Sequence, residues 1–400
     1  MSVVSDVVTS PRAVEIMSLD RPLRHLYVHV PFCARRCSYC DFAIAVRRTV
    51  PVADFVRGVL TELQARLPHA PTTALTSVYL GGGTPSRLGG DGIQHLLETI
   101  RSVVVVDPTA EITMEANPED ISAEAVAAWC DAGVNRLSIG AQSFDDRVLH
   151  WMHRVHDAAA ITQAVQVARA GGITDISLDL IFSVPDALQR DWAADLSAVL
   201  ALEPTHISLY GLTIEPQTPL GRWTARGEVL PGGDESYESE FLLAHERLGA
   251  AGFEHYEVSN FARPGHRAVH NSAYWRGVPY LGVGPSAHGF DGAVRRWNTE
   301  AYAAWQQTVD AGRDPLGGDE QLTPENRVAE TVYLGLRTLD GLLIHPSERA
   351  TVQPWIDAGW IELAEAPATA DQDVRVRCTP LGWLRLDRLA ADLTALRSYW

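Results

Sequence analysis

The sequence predicts an α/β protein built on a parallel sheet, with a smaller domain toward its C-terminal end. Three observations carry that expectation. Short apolar, β-rich runs recur six times between residues 25 and 211. An amphipathic helical stretch separates each run from the next. After residue 211 the alternation gives way to a region rich in Gly, Pro and aromatics, and a compact set of helices and strands follows beyond residue 326. Strand alternating with helix reads as βα units around a parallel sheet. Six units are too few for a closed eight-stranded barrel, which leaves an open (β/α)6 barrel or a doubly wound sheet.

In chain order, residues 1–22 read as a tail. The strands are "HLYVHV" (25–30), "TSVYL" (76–80), "EITME" (111–115), "NRLSIG" (135–140), "TDISLDLIF" (174–182) and "THISLYG" (205–211). Helices fall at 52–67, 91–104, 122–132, 157–170 and 189–202. Buried parallel strands are nearly continuous in apolar residues, so Glu115 and Asp179 stand out as carboxylates that interrupt such runs. "PGGDE" introduces a further helix over 234–250, and "AGRDPLGGDEQLTPEN" (311–326) reads as a linker. The main body then spans 23–310. A helix from 327, "WIDAGWIEL" as helix–strand, "VRVRCTPLGW" as strand and "LRLDRLAADLTAL" as helix suit a winged-helix-like domain over 320–400.

Bulk composition narrows the roles. Lysine plus arginine number 33 against 50 aspartate plus glutamate, a net charge of −17. That argues against nucleic acid as the main partner, although a local basic pocket for a small anion stays compatible. No apolar run reaches the roughly 18 residues of a spanning helix. The first residues lack a basic start followed by an apolar block, so a cytoplasmic protein is expected. Five cysteines in 400 residues do not make a disulfide framework. In a reducing compartment a tight cysteine cluster points to metal or catalysis.

Three of those cysteines lie in "PFCARRCSYCDF" (31–42), spaced C-x3-C-x2-C at Cys33, Cys37 and Cys40. A structural zinc site wants four ligands, and a [4Fe–4S] cluster normally takes four thiolates. Cys130 and Cys378 stand alone far along the chain, and Phe42 holds the next position at ligand spacing. Three thiolates leave one iron open to another ligand, which is how such a centre becomes reactive. "YLGGGTPS" (79–86) follows the second strand. Its glycines serve either a tight strand–helix turn or a backbone that approaches a ligand. Glu115 ends the third strand, Gln142 and Ser143 follow the fourth, Asp179 lies in the fifth and Thr213 follows the sixth. A lone buried carboxylate is costly, so Glu115 and Asp179 need partners. Strand C-termini form the ligand-bearing face of α/β barrels, so cysteines, glycines and these polar residues converge on one mouth. For either carboxylate alone, structural pairing inside the barrel is the alternative.

The cysteine spacing, with Tyr39 just before the last thiol, resembles that of the radical S-adenosylmethionine (SAM) enzymes. Further segments follow in order: "IGAQSFDDRVLHWMHRVH", "SLDLIFSVP", "HISLYGLTIEPQTPL" and "HNSAYWRGVPYLGVGPSAHGF". Together they resemble the branch that contains oxygen-independent coproporphyrinogen III oxidase and the HemW-type heme chaperones, over most of the chain. The resemblance implies a partial (β/α)6 radical SAM barrel with a small C-terminal winged-helix-like domain. It implies a [4Fe–4S] cluster on Cys33, Cys37 and Cys40, whose open iron takes the methionyl amine and carboxylate of SAM. It places SAM contacts at Tyr27, Tyr39, Gly82, Gly83, Thr84, Glu115, Gln142, Arg154 and Asp179 and, at a further remove, at Thr213 and His288.

Two features separate chaperone from oxidase within that resemblance. The oxidase has a further cysteine two residues after the third, where this chain has Phe42. "HNSAYW" (270–275) fits the HNxxYW signature of the chaperones at His270, Asn271, Tyr274 and Trp275. His270 offers an imidazole to heme iron, and Tyr274 and Trp275 offer flat faces to a porphyrin. A loop stapled by aromatics, with His270 as a hydrogen-bonding residue, is the alternative. Arg263, His266, Arg267 and Arg276 meet either heme propionates or solvent. The resemblance therefore implies heme as cargo and respiratory apo-cytochromes or other heme proteins as recipients, with membrane contact only through them. It implies no coproporphyrinogen oxidase activity; oxidative decarboxylation of coproporphyrinogen III is the alternative function.

Overall fold

The structure, a computed structural model, describes residues 22–70, 72–364, 369 and 372–398. The tail expected at 1–22 lies outside the described residues apart from Pro22. Two compact units divide the chain, one within Arg21–Gln321 and one within Leu322–Trp400.

Six strands build the first unit: β1 (Leu23–Val30), β2 (Thr72–Gly82), β3 (Val106–Ala116), β4 (Arg136–Gln142), β5 (Asp175–Phe182) and β6 (His206–Gly211). They lie side by side in chain order, all parallel. The crossovers carry α1 (Val52–Arg66), α2 (Gly89–Val103), α3 (Ala123–Asp131), α4 (Asp146–Trp151), α5 (Ala158–Ala170) and α6 (Trp192–Ala201). Side chains of Ser122, Asp145, Asp157 and Asp191 cap the N-termini of the last four by accepting a backbone N–H. After α7 (Pro219–Ala225) and α8 (Asp234–Ala250), the hairpin β7 (Glu254–Glu257) and β8 (Asn260–Ala262) pairs antiparallel on the β6 edge. Helix α9 (Val269–Trp275) precedes β9 (Leu281–Val283), which adds parallel to β1. The sheet order is β9-β1-β2-β3-β4-β5-β6-β8-β7, with both edges open. It is a partial barrel.

The expectation of nearly continuous apolar strands needs correction. Each strand alternates with a two-residue period. Leu26, Val28, Val78, Leu80, Ile112, Met114, Leu137, Ile139, Leu178 and Leu180 are at most 5% exposed and pack the helical layer. The intervening residues line the interior and bond one another across the sheet. His25 Nδ1 meets Ser77 Oγ at 2.8 Å, and Ser177 Oγ meets His206 Nδ1 at 2.8 Å. Ser138 Oγ donates to both Asp179 carboxylate oxygens at 3.0 and 2.9 Å. Glu115 and Asp179 therefore do not interrupt apolar runs; they belong to a polar face shared by all six strands.

Beyond β9, β10 (His288–Phe290), β11 (Val294–Asn298) and β12 (Leu316–Gln321) form an antiparallel sheet, with α10 (Tyr302–Asp310) between the last two strands. Strand β12 falls inside the stretch expected to be a linker. Its glycines are not punctuation: a Cβ on Gly318 would lie 2.5 Å from the Trp297 ring, so glycine permits the strand to approach β11. The second unit runs α11 (Pro324–Arg337), β13 (Leu342–Ile344), α12 (Arg349–Asp357), β14 (Ile361–Leu363), β15 (Val374–Cys378), α13 (Pro380–Trp383) and α14 (Leu386–Ser398). Strands in the order β13-β15-β14 pack with helices around Val332, Leu336, Trp383, Leu389 and Leu393, a winged-helix-like arrangement.

Candidate functional site

The loop after β1 carries the three thiols. Cys33 is buried, and Cys37 and Cys40 are half-buried. Phe32 anchors the start of the loop with its ring between Phe55 and Tyr302. Ser38 pins the far side: its N–H donates to Met152 O at 3.2 Å and its hydroxyl to Trp151 O at 3.3 Å. Tyr39 packs on the buried cluster of Val148, Met152, Ile181 and Val184. The loop is thus held from both ends by residues that carry no thiol. Burial pushes the Cys33 thiol above its ordinary value and the Cys40 thiol up to about 11. Free thiolates are disfavoured there, and a metal that displaces the proton relieves that cost.

The glycine loop meets the cysteine loop along β1. Gly82 has φ +108°, and a Cβ there would lie 2.5 Å from the His29 ring. Gly83 donates its N–H to Val30 O at 2.8 Å, and a Cβ on it would meet the Pro31 backbone at 2.6 Å. Close packing on β1 alone therefore requires both glycines. That packing brings Thr84 Oγ1 to 3.3 Å from Cys33 Sγ. From there a chain of bonds runs round the loop. Asn117 Nδ2 donates to Thr84 Oγ1 at 3.4 Å, Arg154 Nη2 to Asn117 Oδ1 at 2.6 Å and Arg154 Nη1 to Cys37 Sγ at 3.4 Å. Arg154 also donates to Gly140 O at 2.9 Å, and its buried Nε has no hydrogen-bond partner. Burial works against the charge of Arg154, but Tyr39, Cys37 and Glu119 around it hold it protonated.

Glu115 sits below this ring, accepting from Tyr79 OH and from the Gly82 N–H, each at 2.9 Å. Burial raises its pKa to about 7 against the pull of the Tyr79 bond, and the Asp179 charge adds to the rise. Burial likewise pushes Asp179 up, against bonds from Ser208, Ser138 and Ser177. Tyr27 stacks on Tyr79 and meets His29 Nδ1 at 3.1 Å. Gln142 ends β4 in the left-handed region with φ +68°, a strained position for a non-glycine residue. Its Nε2 would lie 2.9 Å from a Cβ on Gly140, beside Arg154. Thr213 is exposed with its hydroxyl on Gly211 O, and His288 stacks on Trp297. Sequence reasoning missed Asn117 and Tyr79. Both were findable: Tyr79 and Glu115 occupy alternate, inward positions of their strands, and Asn117 stands between the end of β3 and Pro118.

The HNxxYW segment is helix α9, and its His270 ring meets the Tyr79 and Tyr27 rings at 5.2 and 6.5 Å between centroids, so it adjoins the Glu115 group. Glu111 accepts the N–H groups of Val269 and His270 at 2.8 and 2.9 Å, which seats the helix start on β3. His270 is 1% exposed. Its Nδ1 bonds Ser77 Oγ at 2.7 Å and its Nε2 bonds Tyr274 OH at 2.8 Å. Burial, with the charge of His25, lowers the His270 pKa to about 3, so the ring is neutral. Asn271, Tyr274 and Trp275 are half-buried, and the Tyr274 ring meets Tyr280 edge-on at 4.6 Å between centroids. Arg267 pairs with Glu254 at 2.6 Å, and His266 Nδ1 is 3.6 Å from Asp175.

Among the described residues no three His, Cys, Asp or Glu side chains gather as they would round a single metal ion. Three thiols without a fourth protein donor, beside a buried arginine and an inward carboxylate, fit a cluster that takes a further ligand.

The radical SAM superfamily model matches residues 27–197. The heme chaperone HemW of Mycobacterium tuberculosis is 38% identical over 322 residues, 79% of this chain and 82% of the relative. The chain belongs to the HemW family of radical SAM proteins. The HemW heme chaperone of Escherichia coli K12 is 39% identical over 269 residues, 67% of this chain and 70% of the relative. Among solved structures, coproporphyrinogen III oxidase (HemN) from Escherichia coli, a radical SAM enzyme, superposes with a TM-score of 0.77 at 22% identity, covering 94% of this chain and 90% of that one. That likeness is one of fold. Tyr79, bonded to Glu115 and in ring contact with His270, joins the HNxxYW segment to the residues beneath the thiol mouth. Among the described residues no helix is long and apolar enough to cross a membrane.

Proposed function

We propose that this protein is a heme chaperone that holds a [4Fe–4S] cluster on Cys33, Cys37 and Cys40, binds SAM beside it and delivers heme to respiratory-chain apoproteins. The observation that carries this reading is the 38% identity over 82% of a heme chaperone's length, with the three-thiol mouth and HNxxYW both intact. Phe42 at the position of the oxidase's extra cysteine supports the same choice.

The residues divide the work. Gly82, Gly83, Thr84, Glu115, Gln142, Arg154 and Asp179, with Tyr27 and Tyr39, hold the SAM cofactor. Cys33, Cys37 and Cys40 would hold the cluster, which, once reduced by an external one-electron donor, would supply an electron to the sulfonium of SAM. Glu115, near its midpoint at neutral pH, offers a carboxylate to a cationic ligand. Arg154 places a buried positive charge 3.4 Å from Cys37 Sγ, next to the cluster ligands. Tyr39 closes one side of the loop to water. His270, Asn271, Tyr274 and Trp275 form the heme-binding segment. Because both ring nitrogens of His270 are engaged, it acts as a positioning residue for Tyr274. Thr213 borders the mouth. The protein works in the cytoplasm, and a membrane is met only through its recipients.

The test is anaerobic reconstitution of the cluster, followed by separate additions of heme and coproporphyrinogen III. The expected result is a Soret band shifted from that of free heme, and heme passed on to an apo-cytochrome. Protoporphyrinogen IX accumulating with 5′-deoxyadenosine over several turnovers per chain would overturn the reading in favour of the oxidase.

A further inference from the structure

A cavity of about 450 Å³ opens at the outer edge of the barrel, between the ends of α1 and α10, strand β9 and the β10–β11 hairpin. Its volume falls in the roughly 300–1,000 Å³ range of small-molecule sites. The wall is apolar and aromatic, with Leu23, Tyr280, Leu281 and Phe290, and it carries the guanidinium groups of Arg66 and Arg296. Tyr280 links it to the HNxxYW segment, since its other neighbour is the Tyr274 ring.

We propose that this cavity is where the carboxylates and part of the ring of a flat tetrapyrrole dicarboxylate are held, with Arg66 and Arg296 as the carboxylate partners. The inference rests on the heme reading above and gives it a location. The acids nearby are already committed. Glu62 accepts from Arg66 at 3.0 Å, Gly284 N at 3.0 Å, Asn298 at 2.7 Å and Trp305 at 3.0 Å. Asp291 closes the hairpin turn through the N–H groups of Ala293 and Val294 at 2.8 and 2.7 Å. Asp314 pairs with Arg296 Nη2 at 2.6 Å. The Arg66 side chain is 13% exposed and spends Nη1 on Glu62 and on the Gly282 carbonyl. Arg296 keeps a buried Nε with no hydrogen-bond partner. Arg313 adds an exposed cation at the rim. Two half-buried guanidinium groups stand against the aromatic wall, each paired with one carboxylate. The donor left over at Arg296 Nε, together with the Arg313 cation, suits an anion with an apolar body, since guanidinium matches carboxylate bidentately. The HNxxYW helix then acts on the ligand from behind, through Tyr280.

The test uses the full-length, cluster-loaded protein. Hemin, protoporphyrin IX and protoporphyrin IX dimethyl ester are titrated against wild type, Arg296→Gln and Arg313→Glu, with circular dichroism as the check on folding. Losing a charge-assisted bond is expected to raise the hemin Kd about tenfold in Arg296→Gln, and a smaller increase is expected in Arg313→Glu. Wild type should prefer the free acid to the diester by a similar factor, and Arg296→Gln should erase that preference. If Arg296→Gln does not fold, the exposed Arg313→Glu still reports. Folded variants with unchanged affinity, or equal binding of acid and ester, overturn the cavity assignment and leave the heme reading standing. Failure of wild type to bind either hemin or protoporphyrin IX overturns both.

Discussion

Around the thiol mouth of the barrel, some polar groups are held with a demand unmet; in the row that joins His25, Ser77, His270 and Tyr274 toward the other end, they satisfy one another. Around the C-termini of β1–β4, burial pushes the Cys33 and Cys40 thiols up, Glu115 sits near a pKa of 7, and Arg154 Nε has no partner. Toward the strand starts, His25, Ser77, His270 and Tyr274 form one bonded row, and Glu111 seats α9. Both ends carry motif residues. A signature residue can thus be a ligand contact or a fixed part of the wall, and the state of its hydrogen bonds tells the two apart. An unmet buried group costs stability and waits for a partner. A met one fixes shape.

The sharpest way to break this contrast is at the thiols. Cys33→Ala, Cys37→Ala and Cys40→Ala should each lose essentially all cluster iron and sulfide, measured after anaerobic reconstitution against about four of each in wild type. Cys130→Ala and Cys378→Ala should keep both. Iron retained in any of the first three would mean that the mouth is not the ligand end.

Next comes Glu115, whose folded-state pKa rises from 4.5 to about 7. The native state then binds the proton more tightly than the unfolded chain. Stability from this group is therefore full below pH 4.5 and is lost as pH rises through about 7, on the order of 3 kcal/mol in total. Denaturant unfolding of the apoprotein across that window should show the fall, and Glu115→Gln should flatten it. A cationic ligand favours the ionised carboxylate, so SAM binding should tighten over the same window and weaken about tenfold in the variant. A flat pH profile in wild type would place Glu115 with the satisfied groups.

These two predictions draw on residues of unequal legibility. The three cysteines and the glycine loop could be read directly, because spacing and composition mark them. All six barrel strands could be placed from apolar periodicity, as could α8, whose acidic first turn follows Pro–Gly–Gly. The polar lining was legible only in part. Glu115 and Asp179 stood out as charges, while Ser77, Ser138, Ser177 and Ser208 are small enough to pass as ordinary strand residues. Their role comes from register: it sets Ser138 beside Glu115 and Ser208 beside Asp179, and register is a tertiary property. The same holds for β12, where Gly317 and Gly318 signal a turn locally and a close strand contact in the fold. The engagement of His270 was also out of reach, because its partner Ser77 lies 193 positions away.

A smaller effect is expected at the satisfied end. His270→Ala leaves Tyr274 OH without its imidazole and Ser77 Oγ with only that of His25, at a cost of about 2 kcal/mol. Chemical denaturation should register that loss, and the iron–sulfur absorbance should stay unchanged. Unaltered stability together with a heme spectrum that loses a nitrogen ligand would make His270 a contact and dissolve the distinction between the two ends.

The smallest effect is expected at Phe42, which tests where the ligand end stops. Its ring follows the third thiol by two positions but is 57% exposed. An exposed side chain has little packing to lose, so Phe42→Ala should change stability by no more than about 0.5 kcal/mol. The cluster should also survive, since the loop is pinned through Ser38, Tyr39 and Phe32, none of which depends on Phe42. Phe42→Cys sharpens the point, because it restores a thiol where the oxidase has one. If three thiols suffice, its iron content should match wild type and coproporphyrinogen III should remain unconverted. A gain of decarboxylation in Phe42→Cys would show that position 42 sets the reaction, and that the ligand end extends past the buried thiols onto the surface.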